Sequence, residues 1–409
     1  MPVTLILITQ YLNSTDRGYW YTFQSLGALT VFAEMGFTSI VVQFISHEFA
    51  HLKIEKGEIV GNINRVDRLV SLFKFVIKRY LYIIPLSIVI ILLIGLVFFP
   101  NYLYVKENIF KWFLYAISGG LALVVSLIMS ILQGLNKVED SLLINLFSGI
   151  ISTLVLWLCL YFKLGLWSLG FSGLSYFLIC TSITLYQNNT LISRLFFYKI
   201  NTKHDWGNEI NSLQLKYSIS WIAGYFIFSF IVPVTMYFNG PIIAGKIGIT
   251  IAVASAILQL AHSWVSNKTP LLNILISKNK AIHARLYFNK INRNSIFFFI
   301  LASAVFVIFL EINFINYKDK FSSTNIVVTL LLAELGKLVL GNWAIYLRAF
   351  KTEPYLKITV INSISTIIAF VVFLKYYNSL FYALILFMII QYISLFYGYK
   401  IFIKKIRCF

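Results

Sequence analysis

Two oppositely charged side chains stand in the middle of the apolar run LLLAELGKLVL, residues 330–340. Glu334 and Lys337 are three residues apart, so on a helix they share one face and can form an ion pair. A lone charge at the centre of a bilayer costs about 2.5–3.5 kcal/mol on insertion scales, so such residues usually face protein or a wet cavity. Three arrangements are open: a pair that holds its helix against a neighbour, a cavity in which Lys337 binds an anion while Glu334 orients it, or side chains that extend to the membrane surface.

Glu34 is a second charge inside an apolar run, with no basic residue within one helical turn. A buried carboxyl group without a counter-charge favours its protonated form. Glu34 could therefore be neutral and hydrogen-bonded between the predicted second and eighth helices. Alternatively, it could be a site where proton or sodium binding biases the conformations of a transporter. His262, also inside an apolar run, is a second candidate for such coupling.

The remaining candidates lie near the ends of apolar runs. His47 and Glu48 end the second run, where they could gate a cytoplasmic entrance or be a solvated helix end. Arg17 and Lys111 lie near the predicted outer mouth and Arg348 near the inner one. Such charges attract anions, although basic residues also flank membrane helices by default. The predicted substrate-cavity residues are therefore Lys337, Glu334, Arg348, Lys111 and Arg17.

Composition places these charges in a polytopic membrane protein. Of the 409 residues, 59% are hydrophobic and 12% charged, and the mean hydropathy is +0.82, whereas a soluble domain is about half apolar and a quarter charged. Apolar runs long enough to cross a bilayer recur along the whole chain. They predict twelve helices, at residues 1–13, 18–45, 75–99, 110–133, 141–162, 166–186, 217–238, 245–267, 294–315, 324–347, 356–375 and 378–400.

The distribution of basic residues predicts the orientation. The net charge of +19 comes from Lys and Arg in short loops, with no basic stripe of the kind that binds nucleic acid. Loops on one side, with the C-terminus, hold 25 of the 34 Lys and Arg residues, the other side holds 8, and Lys337 is the remaining one. Basic loops stay in the cytoplasm. We therefore predict a multi-pass protein of the cell inner membrane with both termini in the cytoplasm.

A weak internal repeat relates ITQYLNSTDRGYW, from Ile8, to VTMYFNGPIIAGKIG, from Val234. With one residue inserted, the matched pairs are Thr9 and Thr235, Tyr11 and Tyr237, Asn13 and Asn239, and Gly18 and Gly245. Two six-helix halves in the same orientation, 1–205 and 206–409, are therefore predicted, and parallel repeats of this kind are a transporter architecture. The same offset places the start of the first helix before Met1, so part of that helix is expected to be missing.

The segment YLNSTDRGYWYTFQSLGALTVFAEMGFTSIVVQFISHEFAHL, residues 11–52, resembles the Wzx-type O-antigen flippases of the MOP superfamily. Those proteins have a similar Tyr-Leu-x-x-x-x-x-Gly-Tyr-Trp entry to the second helix, followed by an acidic residue before a glycine, here Glu34 and Gly36. The segment SNKTPLLNILISKNK, residues 266–280, is similar to the loop that follows the eighth helix in that family.

The resemblance implies an all-α membrane fold of two six-helix bundles, as in MATE transporters, that form a V around a central cavity. It also implies transport of a lipid-linked oligosaccharide, an O-antigen or capsule repeat unit on polyprenyl pyrophosphate, from the cytoplasmic to the outer leaflet. No cofactor is expected beyond a coupling proton or sodium ion. Expected partners are membrane lipids and a glycan polymerase with its assembly proteins, and nucleic acid is not expected.

Two rival functions remain open. A multidrug or organic-ion antiporter of the same superfamily would favour carboxylates for cationic drugs, whereas Lys337 is a central basic candidate. A membrane glycan polymerase or glycosyltransferase would carry a sizeable outer loop or an acidic cluster. The aspartates are instead scattered and form no Asp-x-Asp motif, at Asp16, Asp67, Asp140, Asp205 and Asp319. We therefore expect a transporter and not an enzyme.

Overall fold

The computed structural model describes residues 2–50, 52–55, 58–98, 102–200, 204–277, 280–312, 318–350 and 355–407, so Met1 and the expected truncation there lie outside the described part. The helices are α1 (Pro2–Tyr11), α2 (Ser14–Gly27), α3 (Thr30–Glu34), α4 (Phe37–Phe49), α5 (Ile63–Phe98), α6 (Tyr102–Gly134), α7 (Val138–Tyr161), α8 (Trp167–Phe197), α9 (Trp206–Phe228), α10 (Ile231–Ser266), α11 (Thr269–Ser277), α12 (Ala281–Glu311), α13 (Thr324–Arg348), α14 (Leu356–Tyr377) and α15 (Leu380–Arg407). Strands β1 (Lys53–Glu55) and β2 (Glu58–Val60) form an antiparallel hairpin.

The membrane-spanning helices confirm the predicted fold class, an all-α polytopic protein of about twelve spans in two bundles. In the described ranges, nine helices are long and apolar enough to cross a membrane, or ten if the bent series from Ser14 to Phe49 is one span. The stretch Trp221–Ser266 has 46 residues, about 69 Å of helix at 1.5 Å per residue, which is enough for two crossings. The ten spans become eleven when this stretch is counted as two crossings, and the short α1 brings the number to the predicted twelve.

Several predicted helix limits are confirmed and others are wrong in one direction. Helices α7, α13 and α14 lie within three residues of the predicted 141–162, 324–347 and 356–375. Helix α5, however, begins at Ile63 and not at 75, α12 begins at Ala281 and not at 294, and α8 continues to Phe197 and not to 186. The added turns carry Lys and Arg. An apolar window detects only the turns that cross hydrocarbon, while the helical backbone continues beyond it.

The predicted second helix, 18–45, is a broken series. Met35 and Gly36 both have positive φ, 52° and 70°, between α3 and α4. A left-handed residue ends a helix, and a glycine adopts this conformation without a steric penalty. A β-carbon at Gly36 would also lie 2.5 Å from a ring atom of Trp221. The break is therefore set by backbone and packing together, and it creates a new helix N-terminus directly after Glu34.

Contacts divide the chain into two compact units. The first, which we call the N-terminal unit, comprises Gln10–Leu12 and Phe23–Tyr225, and the second, the C-terminal unit, comprises Met1–Thr9, Asn13–Thr22 and Phe226–Phe409. A buried cluster around Phe37, Phe73 and Trp206 forms a core of the N-terminal unit. A cluster around Phe288 and Tyr346, with their rings stacked at 4.6 Å, forms one of the C-terminal unit. The halves 1–205 and 206–409 stay a prediction.

Within the C-terminal unit, α2 crosses α10 at unusually short range. A β-carbon at Gly18 would overlap the carbonyl oxygen of Pro241, and one at Gly245 would lie 2.9 Å from the nitrogen of Gly18. One at Gly248 would lie 2.5 Å from the Cβ of Tyr21. Small residues let membrane helices approach in this way. Gly18 and Gly245, matched by the internal repeat, thus contact each other.

This crossing predicts that Gly18→Ala destabilises the protein. The added methyl group meets backbone that cannot rotate away, so we expect a loss of about 3 kcal/mol, at the upper end of overpacking effects. Thermal unfolding of the purified protein in detergent would measure it. Gly149 lies inside α7, where an added β-carbon would have nothing within 4 Å, so Gly149→Ala is the matched control and should be neutral or stabilise by about 0.5–1 kcal/mol. Equal effects of the two changes would contradict the close crossing.

Candidate substrate and coupling sites

Glu334 and Lys337 form a buried ion pair in α13. Lys337 Nζ lies 2.6 Å from Glu334 Oε1, and the side chains are 8% and 2% exposed. The ammonium group also lies 4.8 Å from the ring centroid of Phe228 and 5.6 Å from that of Phe387, distances at which an aromatic face attracts a cation. Glu334 Oε2 is buried without a hydrogen-bond donor. Neither side chain extends to the membrane surface, and anion binding by Lys337 stays a prediction.

A buried amide network that the charge pattern does not reveal lies between α14 and α15. Asn362 and Gln391 donate to each other's side-chain oxygens at 2.9 and 3.0 Å, and Asn362 Nδ2 also donates to Ser394 Oγ at 3.0 Å. Gly336 of α13 packs on this network, because a β-carbon there would lie only 3.3 Å from the Cβ of Gln391. Side-chain amides bond helices together in membranes. Asn and Gln within apolar runs are the signal of this network in the sequence.

Glu34 lies at the break between α3 and α4 and has three polar neighbours in the N-terminal unit. Its Oε1 accepts a hydrogen bond from the hydroxyl of Tyr80 in α5 at 3.1 Å and one from the backbone N–H of Thr38 at 3.3 Å. Gln214 Nε2 donates to the Glu34 carbonyl at 3.5 Å, while Gln214 Oε1 is buried without a donor. The partners are thus on α4, α5 and α9, whereas the prediction placed the partner on the eighth helix.

The carboxylate of Glu34 connects three helices. Its oxygen faces the first turn of α4, where the helix dipole and unpaired N–H groups stabilise a negative charge. The hydrogen bond from Tyr80 connects the same oxygen to α5. Ion coupling at Glu34 stays a prediction.

His262 lies in α10 beside α13. Its Nε2 is 3.3 Å from the position that a β-carbon on Gly341 would occupy, so that glycine leaves room for the imidazole. The next residue, Asn342, donates through Nδ2 to Asn292 Oδ1 at 2.9 Å and to Ser295 Oγ at 3.1 Å. These bonds join α12 and α13, and Ser295 Oγ donates to a backbone oxygen of α10. Arg348, at the exposed end of α13, interacts electrostatically with His262.

His47 and Glu48, the predicted gate residues, have different environments. Glu48 is buried and binds Arg68 through both carboxylate oxygens, at 3.0 and 3.1 Å. Arg65 lies 3.7 Å from the same carboxylate. The His47 side chain is 80% exposed and 3.9 Å from Glu48. Arg68 also stacks on Trp206, with its guanidinium carbon 5.1 Å from the ring centroid. Glu48 therefore anchors the start of α5, whereas His47 is in solvent.

Arg17 lies in α2 within the C-terminal unit. Its Nε donates to the Asn13 carbonyl at 3.3 Å, and its Nη1 is buried without an acceptor. Burial, and then the positive charge of Arg17, lower the pKa of Lys320. Lys111, in the N-terminal unit, donates to Asn108 Oδ1 at 2.6 Å. The five predicted cavity residues are therefore divided between the units, and among the residues that the structure describes the ion pair within this set is that of Glu334 and Lys337.

Metal coordination is not indicated in the described part of the chain, where no three His, Cys, Asp or Glu residues are grouped closely enough to hold an ion.

Solved structures with a similar fold cover nearly the whole chain. An inward-facing multidrug resistance MATE family transporter of the MOP superfamily has a TM-score of 0.65 and 13% identity over 100% of this chain and 94% of its own. The lipid II flippase MurJ, in an inward closed conformation, has a TM-score of 0.61 and 16% identity over 97% and 85%. The chain has the fold of MOP-superfamily transporters. A MOP-superfamily transporter from Pyrococcus furiosus has a TM-score of 0.55 and 14% identity over 99% and 90%.

These neighbours are described as transporters and a flippase. No protein-family model and no curated protein matches the chain. At these identities the similarity establishes the multi-pass membrane fold, and a transport function with a Wzx-type substrate stays a prediction.

The buried pair predicts opposite results for single and double replacements. Lys337→Met leaves Glu334 without a counter-charge, which for buried pairs destabilises by about 3–5 kcal/mol. Replacing both, as Glu334→Gln with Lys337→Met, removes both charges and should restore most of the thermal stability measured in detergent.

Transport by the same variants distinguishes the roles of the pair. If Lys337 binds an anionic substrate, the double variant is stable but transports poorly. Normal transport by a stable double variant would assign the pair to helix packing alone and contradict substrate binding by Lys337.

Proposed function

We propose that this protein is a flippase for a polyprenyl-pyrophosphate-linked oligosaccharide, an O-antigen or capsule repeat unit. It carries the substrate from the cytoplasmic to the outer leaflet of the cell inner membrane, with both termini in the cytoplasm. Two features support this: the MOP fold, and the name of one neighbour, lipid II flippase MurJ, which describes transport of a lipid-linked molecule. A glycan polymerase and its assembly proteins would use the delivered repeat unit.

The environment of Arg17 is the observation that carries the proposal. Arg17 is a partly buried cation with a buried N–H group that has no acceptor, and its charge acts on Lys320, a second cation of the same unit. A buried donor that stays unpaired is costly, and guanidinium groups match phosphate oxygens in geometry. A pyrophosphate headgroup supplies both the missing acceptor and the negative charge.

A multidrug or organic-ion antiporter is the second candidate. The MATE neighbour is a multidrug resistance transporter, and Glu334 Oε2 is a buried carboxylate oxygen without a donor. That carboxylate, however, is 2.6 Å from Lys337, so the pair has no net charge to attract an organic cation. The positive charge of Arg17 favours an anion.

The deciding experiment locates the lipid-linked oligosaccharide in cells with and without the gene. Accumulation of the complete unit on the cytoplasmic leaflet supports the flippase. An unpolymerised glycan on the outer leaflet would point to an enzyme, and an unchanged glycan with altered drug resistance would favour the antiporter.

Arg17→Gln should impair transport of the anionic lipid. Loss of one hydrogen bond to a charged group weakens binding by about 1.5–3 kcal/mol, or roughly tenfold to a hundredfold in the substrate concentration for half-maximal transport. Reconstituted vesicles with a labelled polyprenyl-pyrophosphate saccharide would measure this. Lys318 is an exposed cation of the same unit, paired with Glu311 at 3.2 Å. Lys318→Gln is the control. If it impaired transport equally, Arg17 would act only as a general surface charge and not as a binding residue.

Glu34→Gln should uncouple transport from its driving ion. The amide keeps the shape and can still accept from Tyr80, but it neither releases a proton nor carries a charge. Vesicles with an imposed pH or sodium gradient should show gradient-driven transport in the unmodified protein and only gradient-independent exchange in the variant. If the variant kept the full gradient effect, Glu34 would not be the coupling residue. His262 would then be the next candidate, and His262→Gln would test it.

A further inference from the structure

A largely apolar cavity lies inside the N-terminal unit, and Tyr80, the partner of Glu34, is one of its lining residues. It has a volume of about 350 Å³ and is bounded by α5, α6 and α8. On α5 the lining extends from Phe73 to Ile84, and on α6 from Val124 to Leu135. Both stretches of helix lining measure about 16 Å, so the cavity is elongated along the helix axes. An elongated cavity with an almost entirely apolar lining suits one extended hydrocarbon chain, whereas a sugar ring would leave its hydroxyl groups without partners.

The cavity opens through the side of the helix bundle. Leu81 of α5 and Leu185 of α8 both line it, and they are 66% and 53% exposed. Both helices are membrane spans, so an opening between them faces lipid. A chain can therefore enter from the bilayer without crossing water.

Four lining residues are polar, and the hydroxyl groups of three of them, Tyr80, Thr181 and Thr184, donate hydrogen bonds within the protein. Asn188 lines the cavity, is only 3% exposed and lies where α8 departs from helical geometry, at φ −122° and ψ 22°. Its Oδ1 accepts a hydrogen bond from Lys137 Nζ at 2.7 Å, which fixes the orientation of the amide. Its Nδ2 is buried and has no acceptor. An unpaired buried donor of this kind is unfavourable, so a ligand with an acceptor oxygen would be stabilised here.

Lys137 lies beside this donor and forms an ion pair with Asp140. Its ammonium group donates to Asn188 and to Asp140 Oδ2 at 3.2 Å, and a lysine has three N–H donors. Lys137 directly precedes α7, close in sequence to Leu135 at one end of the cavity, while Val124 is at the other end. The unpaired donor of Asn188 is therefore at the end of the cavity next to Lys137.

We propose that this cavity binds one acyl chain of a glycerophospholipid, whose ester carbonyl oxygen accepts a hydrogen bond from Asn188 Nδ2. The chain extends toward Val124, and the headgroup lies next to Lys137. An extended acyl chain matches the elongated apolar lining, whereas a polyprenyl chain carries no carbonyl group beside its hydrocarbon. The ester group also places an acceptor directly beside the chain, where the free donor lies.

Native mass spectrometry of the full chain in detergent tests the lipid without any substitution. Dipalmitoyl phosphatidylglycerol should bind roughly threefold to tenfold more tightly than its ether-linked analogue, which lacks the carbonyl acceptor. Phosphatidylcholine with the same chains should bind with similar affinity, because the acyl chain and its ester group make the proposed contacts. Equal affinity for ester and ether lipids would overturn the hydrogen bond, and loss of binding with the choline headgroup would overturn recognition through the chain and its ester.

Two pairs of variants locate the binding. Val124→Phe fills the apolar end and should abolish phosphatidylglycerol binding, whereas Ala122→Phe, on the exposed face of the same helix, should not. Asn188→Leu should remove the preference for the ester lipid, whereas Asn189→Leu, at an exposed neighbour, should keep it. Unchanged binding in Val124→Phe, or tighter binding of polyprenyl phosphate than of phosphatidylglycerol, would overturn the proposal. Lipid binding is measured without transport, so the result is independent of the proposed function.

Discussion

Desolvation in the bilayer decides where each charge of this chain can lie. A charge or hydrogen-bonding group taken into hydrocarbon must find its partner within the protein. Glu334 does so with Lys337, Glu48 with Arg68, and Glu34 with a tyrosine hydroxyl and a helix N-terminus. The pairs join residues that α-helical spacing or packing brings together. The groups left without partners, such as Arg17 Nη1, are consequently the informative ones, because they mark where a ligand would complete the structure.

The close crossing of α2 and α10 gives the internal repeat a physical basis. Gly18 and Gly245 occupy matched positions in two weakly similar segments, and each removes a side chain that would strike the backbone of the other helix. When two copies of one motif pack against each other, the residue at the contact must be small in both copies. This requirement keeps the glycines in register even where most surrounding residues differ between the repeats.

The sequence was sufficient for the class of fold and for most spans, because a run of about 20 apolar residues has few other uses. It failed where helices extend beyond the bilayer, as α5 does at its basic start, since hydropathy there no longer reports on the backbone. It identified Glu334 and Lys337 as neighbours from spacing alone. It could not identify Tyr80 as the partner of Glu34, because that contact depends on how two distant helices pack. The hydrogen bonds between Asn362 and Gln391 were not predicted from the sequence for the same reason.

The two candidate coupling residues differ in a way that favours one of them. The spacing that relates Gly18 to Gly245 also relates Met35, next to Glu34, to His262. In the first repeat this position is a break, with left-handed backbone at Met35 and a carboxylate at the new N-terminus of α4. In the second repeat the same position lies inside the part of α10 that follows its kink at Gly240, where the helix is unbroken. Discontinuous helices concentrate ion sites in transporters because their free ends interact with charge. Glu34 has such an end and His262 does not, so a proton gained or lost has more structural consequence in the first repeat.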